Sequence, residues 1–151
     1  MQMRTKIRLI ASAAVLLAST AAVSAQAGVL VDVTVINNLP VNANYGFQNI
    51  AGTVSPPPAN PLLAGEPTEF LVNSISTTGA SGNFRYTAVS GGKACRFNFA
   101  AVSTPRFPPL PPTWNWTHSG TSVGTTTATC SSRITTADPS TGNFSVEFKI
   151  Q

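Results

Sequence analysis

Charged side chains are scarce in this sequence. Nine Lys or Arg and five Asp or Glu make up only 9% of its 151 residues, against about 25% in ordinary globular domains. Ser, Thr and Asn supply the polar surface instead, a mixture that is typical of extracellular β-proteins. The length allows one domain and not comfortably two.

Histidine and cysteine are almost absent as well. The chain has one histidine, His118, and two cysteines, Cys95 and Cys130. Structural metal sites need about four ligands at recognisable spacing, and Ser-His-Asp catalysis needs a histidine that a carboxylate holds. The sequence shows neither arrangement, and no nucleophile-elbow pattern. We therefore expect no catalytic residues, no metal site and no cofactor, hence a protein that is not an enzyme.

The N-terminal region has the pattern of a targeting segment. Three basic residues lie within Met1–Arg8, an apolar run covers Leu9–Val23, and small residues follow as far as Ala27. This order predicts a secretory signal peptide of bacterial style over residues 1–27, cleaved after Ala25 or Ala27. The apolar run is shorter than the roughly 20 residues that span a bilayer. We expect a secreted or periplasmic protein whose domain covers residues 28–151.

Removal of that segment changes the charge of the protein. The full chain has a formal charge of +4. Three of its nine basic residues leave with residues 1–27, so six cations face five carboxylates, a net charge of +1. Nucleic-acid binding needs a clustered basic face. Six scattered cations do not provide one, and we expect no nucleic-acid partner.

The two cysteines fit the same compartment. An even number of cysteines in an exported chain is most simply a disulfide, so the sequence predicts a bond between Cys95 and Cys130. Such a cross-link contributes about 4 kcal/mol on the chain-entropy model.

Hydrophobic residues recur with a period of two. Leu30–Ile36 and Phe144–Ile150 alternate apolar and polar positions, as half-buried strands do. A hairpin is predicted from two alternating runs that meet at Ser90–Lys93, and the Gly- and Ser-rich run Thr77–Asn83 is predicted to be a turn. Outside the N-terminal segment there is no amphipathic helix pattern. We predict an all-β fold, a single antiparallel β-sandwich (jelly-roll or immunoglobulin-like) of about seven to nine short strands.

The alternation also predicts the core. One face of the second hairpin strand and one face of the last strand are rich in phenylalanine, while Arg96 and Asn98 take the opposite face. The predicted core residues are Phe97, Phe99, Phe144, Val146 and Phe148.

Five prolines in Pro105–Pro112 make this the most unusual surface segment. They favour polyproline II and oppose collapse. The segment leads into two tryptophans on one face of a short strand, which either cap the core or meet a sugar or a membrane interface. The candidate binding residues are Arg106, Phe107, Trp114, Trp116 and His118.

Three stretches of the sequence carry a family resemblance: Val33-x-Val35-x-Asn37, Gly65-Glu66, and the run from Ser76 to Tyr86. They resemble the aegerolysins, a family of small β-sandwich proteins that bind membrane lipids. The resemblance implies a β-sandwich with affinity for lipid, and it carries over no functional residues. The N-terminal segment, the cysteine pair and the proline-rich loop depart from the family pattern.

Two classes of function remain open. The first is an exported, non-enzymatic binding module whose partner is a membrane lipid, a glycan or a protein surface. The alternative is a structural or adhesin-like subunit of an extracellular assembly, which uses its first or last strand as an exposed edge. A hydrolase is a third class, and it requires a deep pocket that contains His118.

Overall fold

The computed structural model describes residues 28–151, apart from the side chains of Phe47 and Gln48. The predicted signal peptide, residues 1–27, lies outside the described residues. Within this part of the chain no helix is long and apolar enough to cross a membrane. The described residues form nine strands: β1 Leu30–Asn37, β2 Ala43–Ile50, β3 Thr53–Ser55, β4 Pro67–Asn73, β5 Gly79–Ala88, β6 Ala94–Thr104, β7 Thr113–Ser122, β8 Cys130–Ala137 and β9 Phe144–Ile150.

The strands build two sheets that pack face to face, which confirms the predicted β-sandwich. Sheet A has the order β3-β4-β1-β9-β8, and sheet B has the order β2-β5-β6-β7. All named pairings are antiparallel except that of β1 with β9, which is parallel. Parallel strands cannot be joined by a tight turn. Here the seven other strands lie between β1 and β9 along the chain, so a long connection is present.

The predicted hairpin is present as β5 and β6, but its first strand is longer than predicted. The run Thr77–Asn83 is not a turn, because β5 already begins at Gly79. Its glycines allow close approach between neighbouring groups. A Cβ at Gly79 would lie 2.7 Å from the Ala101 carbonyl oxygen, and one at Gly82 would collide with the ring of Phe99.

The core lies between the two sheets and contains all five predicted residues. Phe97 of sheet B meets Phe148 of sheet A with their ring centroids 4.8 Å apart, and Phe84 lies 5.6 Å from each. Tilted and edge-on aromatic pairs of this kind stabilise beyond their area of burial. Arg96 lies on the exposed face of β6, as predicted.

The predicted disulfide is present and joins the two sheets. Cys95 of β6 is completely buried. It is bonded to Cys130, the first residue of β8, with the two Cα atoms 5.7 Å apart. Strand β6 belongs to sheet B and β8 to sheet A, so the bond connects the two sheets. It lies at the side of the sandwich where the edge strands are β7 and β8.

Candidate binding surface

The sandwich has two ends, which differ in their exposed apolar side chains. The upper end holds the turn 74–78, the loop 105–112 and the turn 138–143, because β4, β6 and β8 finish there. The lower end holds the turn 89–93 and the loop 123–129. A backbone hydrogen bond joins the turn 74–78 to β6, the strand that leads into the proline-rich loop. In this bond the Ser103 amide donates to the Thr78 carbonyl at 2.9 Å.

Four large apolar side chains are exposed at the upper end. We call them the apolar patch: Ile75 (91% exposed), Phe107 (89%), Val102 (55%) and Leu110 (54%). Ile75 and Val102 line one shallow cleft, and Leu110 lines a second. Both clefts include Thr78, so the two halves of the patch adjoin there.

The second cleft has a volume of about 530 Å³ and lies under the proline-rich loop. The loop carries Arg106 near its start and turns back on itself, because the Leu110 amide donates to the Phe107 carbonyl at 3.1 Å. Prolines restrict the backbone of this loop, so little ordering entropy is lost when its side chains bind a partner. The lining residues are Thr77, Thr78, Ser103, Pro105, Arg106, Leu110, Pro112 and Trp114.

Both tryptophans lie on the inner face of β7 and pack against the core. Trp114 lines the cleft below the loop. Trp116 turns instead toward the last hairpin, where its indole Nε1 donates to the Gly142 carbonyl at 3.0 Å. Each side chain is half-buried, so each indole exposes only part of its surface to solvent. This geometry is that of aromatic residues that cap a core.

His118 lies farther along the same strand, away from the cleft. Its Nδ1 is 2.8 Å from the Ser132 hydroxyl on β8, across the side of the sandwich where the two edge strands meet. Among the described residues no carboxylate is within hydrogen-bonding distance of this histidine. The contact links β7 of sheet B to β8 of sheet A.

The turn 138–143 carries the negative charge of the upper end. The Asp138 carboxylate accepts hydrogen bonds from the hydroxyl and amide of Ser140, at 2.6 and 2.8 Å, and from the Thr141 hydroxyl at 2.8 Å. These donors, the Ser140 hydroxyl first, lower the pKa of Asp138 to about 2 because they stabilise its charged form. The negative charge of Asp138 is thereby stabilised by hydrogen bonds within its own turn.

The structure divides the five residues predicted to bind. Arg106 and Trp114 line the same cleft at the upper end, and Phe107 lies exposed on the loop above it. Trp116 and His118 contact the last hairpin and β8. Sequence reasoning missed the rest of the apolar patch. Ile75 did have a signal, because it is a single large apolar residue in a run of Asn, Ser and Thr.

Two strands proposed as exposed edges have partners on both sides. Strand β1 lies between β4 and β9, and β9 lies between β1 and β8. Neither therefore presents free backbone groups along its length in this structure. The outer strands of the two sheets are β3 and β8 in sheet A, and β2 and β7 in sheet B.

Any relation of this chain to a known family is indicated by its own residues alone. No protein-family model matches the chain, and no match is found among curated proteins. The resemblance to aegerolysins therefore stays a prediction.

Proposed function

We propose that this protein is an exported, non-enzymatic module that docks on a lipid surface through its apolar patch. The observation that carries the proposal is the gathering of four exposed apolar side chains at one end of the sandwich. They come from a turn, a strand end and a proline-rich loop that adjoin at Thr78. Contiguous exposed apolar surface of this kind marks an interaction site.

The size of the patch fits reversible docking. Transfer of a large apolar side chain out of water contributes about 1.5–3 kcal/mol, and Ile75 and Phe107 are almost fully exposed to water in the free protein. Interfacial binding grows with the apolar area that is buried and with attraction to anionic lipids. Arg106 lies beside Phe107 and adds a cation at the same end, worth about 1 kcal/mol near an anionic leaflet.

Two features favour lipid over a sugar at this end. Sugar sites commonly use an open aromatic face, and both indoles here are half-buried against the core. The patch instead projects separate aliphatic and phenyl side chains, which suit insertion between lipid headgroups. The sequence resemblance to aegerolysins, which bind membrane lipids, supports the same choice.

The experiment is a vesicle titration of the purified protein against phosphatidylcholine vesicles, with and without phosphatidylglycerol. We expect the protein to sediment with the vesicles, and more strongly when the anionic lipid is present. The double variant Ile75→Ser/Phe107→Ser removes two exposed side chains that pack against nothing, so it should fold as the parent does. Its vesicle affinity should fall by about tenfold or more.

The control removes two exposed apolar side chains from the lower end. Leu63 (53% exposed) and Val89 (55%) lie far from the patch, and Leu63→Ser/Val89→Ser should bind vesicles as the parent does. Equal loss in both double variants would contradict docking through the patch. Concentration-dependent polymers without vesicle binding would favour the assembly subunit instead.

A further inference from the structure

The outer faces of the two sheets differ in charge. On sheet A, Glu147 holds Arg133 and Lys149 in ion pairs at 2.9 and 3.1 Å, and Asp32 and Glu69 share that face. The remaining carboxylates of the chain, Glu66 and Asp138, lie in loops. Among the described residues, the outer face of sheet B therefore has no carboxylate at all.

Two arginines stand in the middle of that face. Arg85 of β5 and Arg96 of β6 are directly opposite each other in the antiparallel register, and both are exposed. Like charges at opposed positions are destabilising, since their Cβ atoms are only about 5 Å apart. The Arg85 guanidinium extends over Gly46 of the neighbouring strand, where a Cβ would lie 3.6 Å from its Nε. Neither arginine forms an ion pair with another described residue.

Neutral hydrogen-bonding groups surround the two arginines. The register places Asn83 opposite Asn98, and Asn98 opposite Ser119, whose hydroxyl accepts from the Asn98 amide at 3.1 Å. Amides and hydroxyls of this kind both donate and accept hydrogen bonds. The remaining outward positions of β7 are also polar: Asn115, Thr117 and Thr121.

We propose that this outer face of sheet B, the arginine face, binds an acidic polysaccharide. Arg85 and Arg96 would pair with the carboxylates or sulfates of successive sugars, because a guanidinium meets such anions with two parallel hydrogen bonds. The Asn, Ser and Thr rows would meet the sugar hydroxyls. A bound anion also supplies the countercharge that the opposed arginines lack.

Other polyanions fit this face less well. A lipid bilayer takes up large apolar side chains, and around the two arginines the outward positions are polar, glycine or alanine. Nucleic acid binding uses many phosphate contacts, with a clustered basic surface, whereas two arginines provide few. Val102 of the apolar patch lies on the same face, six positions along β6 from Arg96. The protein would therefore hold a glycan at the middle of this face and lipid at the upper end.

The test is a titration of the full protein with polygalacturonate at low salt, with neutral dextran as a comparison. We expect binding to polygalacturonate that weakens as salt is added, and none to dextran. Arg85→Gln and Arg96→Gln should each weaken binding about tenfold. The melting temperature of each unliganded variant should equal or exceed that of the parent, because each substitution removes the like-charge contact.

Arg133→Gln is the matched control, since it removes an arginine from the opposite sheet. It should leave polygalacturonate binding unchanged. Equal loss in this control would show non-specific attraction and would overturn the proposal, as would unchanged binding in Arg85→Gln and Arg96→Gln. Binding of anionic vesicles that depends on Arg85 and Arg96 would also overturn it. Ile75→Ser/Phe107→Ser should still bind the polysaccharide, which separates this result from the fate of the lipid proposal.

Discussion

Gly142 is the residue at which the last hairpin meets β7. Its φ of +81° lies in the left-handed region that favours glycine. Its amide donates to the Asp138 carbonyl at 2.8 Å, and its carbonyl accepts the hydrogen bond of Trp116. The ring of Trp114 covers the position that a side chain would occupy, since a Cβ there would lie 2.5 Å from ring atoms.

Gly142→Ala is therefore expected to destabilise the fold in two ways. The positive φ and the contact with Trp114 together should lower the free energy of unfolding by about 3 kcal/mol. Gly91→Ala is the control, because Gly91 has a φ of +80° but no atom within 4 Å of its absent side chain. It should lose only about 1 kcal/mol. Equal losses in urea denaturation would contradict the packing role assigned to Trp114.

Asp138 makes the stability contributed by the turn 138–143 depend on pH. Its folded pKa of about 2 is below that of an unfolded aspartate, near 4. The unfolded chain therefore binds the proton more readily, and the stability this residue contributes is present above about pH 4 and lost toward pH 2. Glu147, whose pKa Arg133 lowers through a hydrogen bond, acts in the same direction.

The measurement is the melting temperature between pH 5 and pH 2 for the parent and for Asp138→Asn. The parent should lose more stability over this interval, because Glu147 titrates in both proteins and only the parent also titrates Asp138. Parallel curves would show that the Ser140 and Thr141 contacts do not form in solution.

At the scale of elements, period-two alternation was enough to predict β1, β9 and the inward face of β6. The alternation predicts these strands because one face of each strand is buried and the other is exposed to solvent. It failed at Gly79–Asn83, where glycine gives no alternation although these residues pair with β6 and Phe99 packs over Gly82. It also gave no strand order, since the parallel pairing of β1 with β9 joins residues more than one hundred positions apart.

The disulfide is the covalent link between elements of the two sheets. Cys95→Ala/Cys130→Ala should reduce the free energy of unfolding by about 4 kcal/mol, since a loop with a sequence separation of 35 residues is no longer closed in the unfolded chain. The check is urea denaturation beside the parent with and without reductant. The reduced parent should unfold near the double variant. Unchanged stability in both would contradict a bond that joins the sheets.

At the scale of the whole molecule, the surface separates into unlike regions. The upper end presents the apolar patch, the outer face of sheet B presents two arginines without countercharge, and the outer face of sheet A presents carboxylates and the ion pairs of Glu147. These regions are made of residues far apart in the chain. Ile75 and Leu110, for example, come together only because β4 and β6 both finish at the upper end.

This assembly from distant segments explains what the sequence could predict of the site. The proline-rich loop stands out by composition, so the sequence singles out Arg106 and Phe107 as candidates. Trp116 and His118 share that stretch of chain, but strand alternation turns them toward the last hairpin and β8. Ile75 and Val102 belong to other elements, and no local pattern connects them to the loop.

The central proposal is that Phe107 enters the lipid surface. Phe107→Trp places an indole at that position, and Val89→Trp places one at an exposed position of the lower end. The measurement is tryptophan emission of each variant, relative to the parent, with vesicles whose acyl chains carry bromine, which quenches indole on contact.

The indole of Phe107→Trp should shift to shorter wavelength and be quenched when these vesicles are added. The indole of Val89→Trp should add no vesicle-dependent signal to the tryptophan emission of the parent. Emission from Phe107→Trp that ignores the vesicles, or equal quenching at both ends, would contradict docking through the apolar patch.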